Sequence, residues 1–265
     1  MNIESVKLIY FSPTGTTKRA LEGIAQGVAP SEIEHLDLTL PEAAGQTFAP
    51  VDASVAIIGG PVYGGRLPVD AAKRLRRIKA DGVPAVLVAV YGNRAFEDAL
   101  VELRDIAVEC GFVPIAGAAF IGEHSFSTEA QPIAQGRPDT ADLEKAAAFG
   151  QQVREKLTSL DTVPPLAVPG DSPYKAWNRR AEFEPVPTTD ADLCTLCGQC
   201  ADVCPTGAIT VADVVTTDPH LCIWCCACTR VCPVDARVMD DPRVRKTAAW
   251  LFKEHSARRE PEIYL

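Results

Sequence analysis

One stretch constrains this chain more than any other. CTLCGQCADVCP runs from Cys194 to Pro205 and returns as CIWCCACTRVCP from Cys222 to Pro233. Nine of the ten cysteines lie between residues 194 and 232. Disulfides suit exported proteins, because cytosolic thiols stay reduced. The start, MNIESVKLIYF, has neither the basic opening nor the cleavage site of an export signal. Structural zinc usually takes its cysteines as separated pairs. Here three cysteines stand on a three-residue step, a fourth follows four residues on, and a proline closes each run. Three thiolates so spaced can wrap one iron–sulfur cubane, while the fourth points away toward a neighbouring one.

The pattern C-x2-C-x2-C-x3-C-P resembles the run of bacterial two-cluster ferredoxins. On that resemblance Cys194, Cys197, Cys200 and Cys232 hold one [4Fe-4S] cluster. Cys222, Cys225, Cys228 and Cys204 hold the other. GAIT and VVTTD between the runs read as a hairpin around Ala212 and Asp213. The clusters serve as the core that so short a segment cannot build, and Pro205 and Pro233 bend the chain after each last ligand. Cys226, off the step, reads as a small packing residue, with a redox or spare-ligand role as the alternative. Cys110, before Gly111, reads as buried core.

The first 160 residues alternate between strand and helix patterns. Apolar runs at 6–12, 32–39, 54–60, 85–92 and 112–122 predict five strands. Amphipathic spacing predicts helices over 16–29, 68–80, 94–111 and 140–160. The expected class is α/β, a doubly wound parallel sheet with helices on both faces. Such sheets bind ligands at the carboxyl ends of their strands. The loop SPTGTT after the first strand offers Ser12, Thr14, Gly15, Thr16 and Thr17 at a helix start. Hydroxyls and free N–H groups there suit a phosphate, and an ordinary helix N-cap is the plainer reading.

With two further loops, GGPVYGGRLP (59–68) and YGNRAFED (91–98), this region resembles flavodoxins over residues 1–160, through SPTGTT, PVYGGR and YGNR. The resemblance implies strand order 2-1-3-4-5 and bound FMN, its 5′-phosphate in SPTGTT. The isoalloxazine then lies between Pro61, Val62, Tyr63, Gly64 and Gly65 on one side and Tyr91, Gly92, Asn93 and Arg94 on the other. It also implies that the Tyr63-Gly64-Gly65 backbone can reorient near flavin N5. Tyr63 and Tyr91 either stack on the ring or simply close their loops. Arg94 is either a cation beside the ring or a partner of Glu97 or Asp98. Lys18 faces the phosphate or water. His124, with Ser125 and Phe126, borders the flavin, donates a proton, or is a structural loop histidine. A long loop follows it, of the kind that often forms a lid. No G-x-G-x-x-G occurs, so a dinucleotide site is not expected.

PVYGGRLP, VYGNRAFEDAL, IGEHSFS, GRPD, CIWCCAC and the ending EPEIYL extend the likeness over nearly the whole chain. They resemble flavodoxin–ferredoxin fusions of the EFR-type ferrodoxin family. That family implies an electron-transfer flavo-iron–sulfur protein, a two-electron to one-electron converter serving redox partner proteins such as a ferredoxin or a reductase. One alternative is an FMN-dependent reductase of a quinone or nitroaromatic, fed by the clusters. A redox sensor is another, for which no DNA-binding or signalling element is visible. A homodimer is compatible with all three. The net charge of −9 argues against nucleic acid. No apolar run reaches membrane-spanning length, so a soluble, cytoplasmic protein is expected.

The expected division is a flavodoxin-like domain over 1–160, a proline-rich linker over 161–189, a ferredoxin domain over 190–240 and a tail over 241–265. The linker should be stiff and pack through Tyr174, Trp177 and Phe183. Segment 190–240 carries seven Asp against two Arg, and 243–259 six Lys or Arg against one Glu. The tail helix should pack back through Trp250, Leu251 and Phe252; a solvated basic helix or a docking face are the alternatives.

Overall fold

A computed structural model describes residues 3–159, 164–177 and 184–265. Five parallel strands form its centre: β1 (Ser5–Tyr10), β2 (Glu32–Asp37), β3 (Val55–Pro61), β4 (Pro84–Tyr91) and β5 (Val113–Ile121). They lie in the spatial order β5-β4-β3-β1-β2. This is the expected 2-1-3-4-5 order of a flavodoxin-like sheet. β3 is buried along its whole length and β4 beyond its first residue, which explains their unbroken apolar runs.

Helices α1 (Thr16–Val28), α2 (Val69–Leu75), α3 (Ala99–Glu109) and α4 (Thr140–Ser159) cover the two faces. One core gathers Leu8, Ile24, Ile57 and Phe149; the other gathers Ile9, Ile58, Leu87 and Leu103. Two helices are shorter than their sequence pattern. α2 stops at Leu75 rather than 80, because the backbone of Lys79 and Ala80 bonds to Val51 and Cys110 instead of continuing the helix. α3 begins at Ala99 rather than 94, because Asn93 and Glu97 take positive φ and the Asp98 N–H donates to the Gly65 carbonyl.

The linker packs over much of its described length. Leu166 is buried, and Val168 lies against the same core. The N–H groups of Asp171 and Lys175 donate to the Asp98 carboxylate, at 2.9 and 2.6 Å. Arg66 stacks on the Tyr174 ring, 4.6 Å from its centroid. Trp177, expected to pack as well, is exposed, because the anchoring bonds to Asp98 end at Lys175. Phe183 lies outside the described residues, as do 160–163.

The cysteine-rich segment is built from small pieces: β6 (Thr188–Thr189), α5 (Gln199–Asp202), β7 (Ile209–Val211), β8 (Val215–Thr217), α6 (Ala227–Arg230) and β9 (Arg237–Val238). β7 and β8 form the expected hairpin, and β6 pairs with β9. α7 (Pro242–His255) follows, capped by the Asp241 side chain accepting from the Arg243 N–H. Its inward stripe is Val244, Ala248 and Leu251. Of the three residues expected to pack, only Leu251 is buried; Phe252 and Trp250 are exposed, Trp250 by 48%. The helix turns its i, i+4, i+7 face inward, and positions 250 and 252 fall off that face.

One element has no counterpart in the sequence reading. β10 (Glu262–Tyr264) pairs antiparallel with β5 and becomes the sixth strand of the sheet. At three residues it is too short to show a period. Arg258 reaches Asp139, and the Arg137 guanidinium donates to the Arg259 carbonyl, so the approach to β10 is held too. Among the described residues, no helix is long and apolar enough to cross a membrane.

Candidate functional site

The carboxyl ends of β1, β3, β4 and β5 open on one cavity of about 310 Å³. Of the residues expected to bind a cofactor, Thr14, Thr16, Pro61, Val62, Tyr63, Gly64, Gly65, Tyr91, Gly92, Arg94 and His124 line it. Ser12, Gly15, Thr17 and Asn93 stand behind this wall. The Ser12 hydroxyl accepts from the Lys18 N–H and closes the loop on the first turn of α1. Gly15 takes φ 78° just before that helix. Asn93 serves the tail instead, where its side-chain amide donates to the His255 and Ala257 carbonyls and ties down the end of α7.

The Thr17 hydroxyl is buried and has no hydrogen-bond partner. It lies in the first turn of α1, where backbone N–H groups have no carbonyl one turn back. Thr14 and Thr16 line the cavity beside those donors, and hydroxyls with unpaired backbone N–H groups fit a phosphate.

The second loop is a tight turn. Tyr63 and Arg66 exchange both backbone hydrogen bonds, and Gly64 and Gly65 take φ 59° and 89° at the tip. A Cβ on Gly64 would meet nothing, whereas one on Gly65 would strike the Glu97 carboxylate. Arg66 fixes the turn through a two-pronged pair with Glu102, both contacts at 2.8 Å. Arg94 lines the cavity and pairs with Glu97 at 2.7 Å.

His124 is half-buried. Burial, then the charges of Arg230 and Arg94, push its imidazole down to about 4. Its Nδ1 accepts from the Phe126 N–H at 3.0 Å, so the neutral ring carries its proton on Nε2. Burial also pushes the Tyr63 phenol well above its ordinary range, followed by the charges of Cys225 and Cys226.

Ile223, Trp224, Thr247, Trp250 and Leu251 complete the wall. Sequence reasoning missed all of them as cavity residues. The available signal was an aromatic within a cysteine run, CIWCCAC, where a cluster alone asks for no tryptophan.

All ten cysteines are free thiols, so the disulfide reading falls away. Among the described residues, no three His, Cys, Asp or Glu side chains converge on a point for a single ion. The cysteines instead ring two cavities. One is lined by Cys194, Cys197, Cys200 and Cys232, the other by Cys204, Cys222, Cys225 and Cys228. The fourth cysteine of each run thus crosses to the other's cavity, as the spacing predicted. Both sets supply four sulfurs, the donor set of a cubane. Cys226 joins the second cavity's lining, and its thiol faces the Trp224 carbonyl at 3.7 Å. Cys110 is buried in the sheet's core.

Residues 187–210 match the 4Fe-4S binding domain family. The chain joins a flavodoxin-like sheet to a 4Fe-4S binding segment. No curated protein matches it. Among solved structures, an archaeal flavodoxin is similar at 15% identity, covering 58% of this chain and 99% of its own, with a TM-score of 0.40. Flavodoxin 2 from Bacillus cereus is similar at 19% identity, covering 57% and 99%, with a TM-score of 0.43. The Flv1 flavodiiron core from Synechocystis is similar at 18% identity, covering 59% of this chain and 36% of its own, with a TM-score of 0.42. The fold assignment rests on the strand order, not on these likenesses.

Proposed function

We propose that the chain is an electron-transfer flavo-iron–sulfur protein, with FMN in the large cavity and a [4Fe-4S] cluster in each cysteine cavity. One observation carries this reading. Ile223 lines both the large cavity and the cavity of Cys204, Cys222, Cys225 and Cys228, so a single side chain separates them. Flavin exchanges two electrons and each cubane one, so neighbours of this kind convert between the two.

The residues divide the work. Thr14, Thr16 and the start of α1 receive the phosphate. Gly64 and Gly65 bring backbone, not side chain, to the ring. His124 offers an Nε2 proton from a neutral imidazole. Trp224, Thr247, Trp250 and Leu251, from the cysteine-rich segment and α7, form part of the cavity wall. A wall shared with the cluster segment favours a carrier for protein partners over a reductase of a quinone or nitroaromatic. The first cluster's cavity has an exposed ligand, Cys197, close in sequence to exposed Leu193 and Leu196. It is the outer end, where a redox protein partner meets the chain.

The test is to reduce the flavin of the loaded protein with a light flash and follow cluster absorbance. A bleaching rate independent of protein concentration is expected. A rate proportional to concentration, or no cluster bleaching, overturns transfer within one chain.

A further inference from the structure

Arg237 is 3% exposed, so its guanidinium is out of water. An isolated buried charge is costly, and buried cations are normally paired with anions. The other buried arginines follow that rule or find several carbonyls. Arg137 pairs with Asp142, and Arg74 donates to the carbonyls of Leu38, Thr39, Leu40 and Pro205. Arg237 does neither. It donates to two neutral hydroxyls, Thr189 at 2.7 Å and Thr217 at 2.8 Å. Its Nε has no partner at all, and no carboxylate among the described residues pairs with it.

What surrounds it are thiols from both cysteine sets. Arg237 lines the cavity of Cys194, Cys197, Cys200 and Cys232, and its Nη2 stands 3.8 Å from the Cys228 sulfur of the other cavity. A cubane held by four thiolates is negatively charged and gains a further negative charge on reduction.

We infer that Arg237 is a shared counter-charge for two clusters, a positioning residue that holds a cation between the cysteine cavities and raises both reduction potentials. The inference rests on the two-cluster reading. Its threonine partners fix the guanidinium without neutralising it, so its full charge is left for the clusters. A cation favours the more negative, reduced form of each cluster, and therefore eases electron entry from either side.

The experiment is a redox titration of the loaded, full-length chain, with iron and sulfide assayed first. Wild type holding less than two clusters' worth of iron defeats the two-cluster reading itself. With wild type fully loaded, Arg237→Gln is expected to lower the reduced-to-oxidised ratio of each cluster at least tenfold at fixed potential, a downward shift of about 59 mV for a one-electron couple. Arg237→Lys, which keeps a charge, should shift each ratio by less than that. A fully loaded Arg237→Gln protein with wild-type potentials overturns the inference. Should Arg237→Gln fail to hold clusters, the lysine variant decides. Clusters retained near wild-type potentials support a need for charge; clusters lost there too mean that guanidinium shape matters, and the inference falls.

Discussion

At the scale of single residues, Thr17 gives the most one-sided expectation. A buried hydroxyl without a partner costs about 1–3 kcal/mol. Replacing it with valine removes that cost. Thr17→Val should therefore stabilise the flavin-free protein by about 1 kcal/mol. Thermal melts read the change, and a loss of stability would show that the hydroxyl is satisfied in the folded protein.

His124 makes a pH prediction. Unfolded, its imidazole titrates near 6.5; folded, it titrates at about 4. Between those values the unfolded chain binds more protons, so stability rises with pH across that window. The neutral ring's contribution is complete above about 6.5 and lost as pH falls to about 4, a change of about 3 kcal/mol. His124→Asn keeps an acceptor for the Phe126 N–H and does not titrate. Wild type should lose stability on acidification faster than this variant when denaturant midpoints are compared from pH 7 to 4. Parallel curves would mean the ring is solvated in the folded protein.

At the scale of elements, the edge strand is the most exposed to test. β5 would present open N–H and C=O groups if β10 did not pair with it. Removing residues 261–265 should lower the melting temperature and promote self-association by size-exclusion chromatography. A truncated chain that stays monomeric with an unchanged melt would show that β10 is incidental. The elements also mark where sequence is informative. β3 and β4 were legible because burial on both faces demands continuous apolar runs. The ends of α2 and α3 were not, because bonds to Val51, Cys110 and Gly65 decide them, and those partners lie far away in sequence. The stripe of α7 was misread because the large aromatics Trp250 and Phe252 drew the eye from Val244 and Ala248, which pack with Leu251.

At the scale of the molecule, the grouping of the cysteines around two cavities was legible, since three cysteines on a three-residue step cannot stray far from one another. The convergence of SPTGTT, PVYGGR and YGNR on one cavity was legible too, while the bonds of Ser12 within its loop and of Asn93 to the tail were not. What sequence could not show was the meeting of parts. Trp224 and Trp250 become cavity residues only because the cluster segment folds over the flavodoxin-like sheet. Arg74, buried in the first unit, reaches the Pro205 carbonyl at 2.7 Å, and Arg230 in the second reaches the His124 carbonyl at 2.9 Å.

β10 changes what kind of attachment this is. The cluster segment leaves the sheet through the linker packed on Asp98 and returns to it at β5. It is an insertion spliced into the rim of one sheet, tethered on both sides, rather than a pendant module. A pendant module explores a volume set by its leash, and its encounters with the flavin cavity are a matter of chance concentration. A doubly tethered one has given up that freedom during folding, where the entropy of closing the loop grows only slowly with its length. The geometry between the large cavity and the cysteine cavities is then set once, by folding, and not afresh by each encounter.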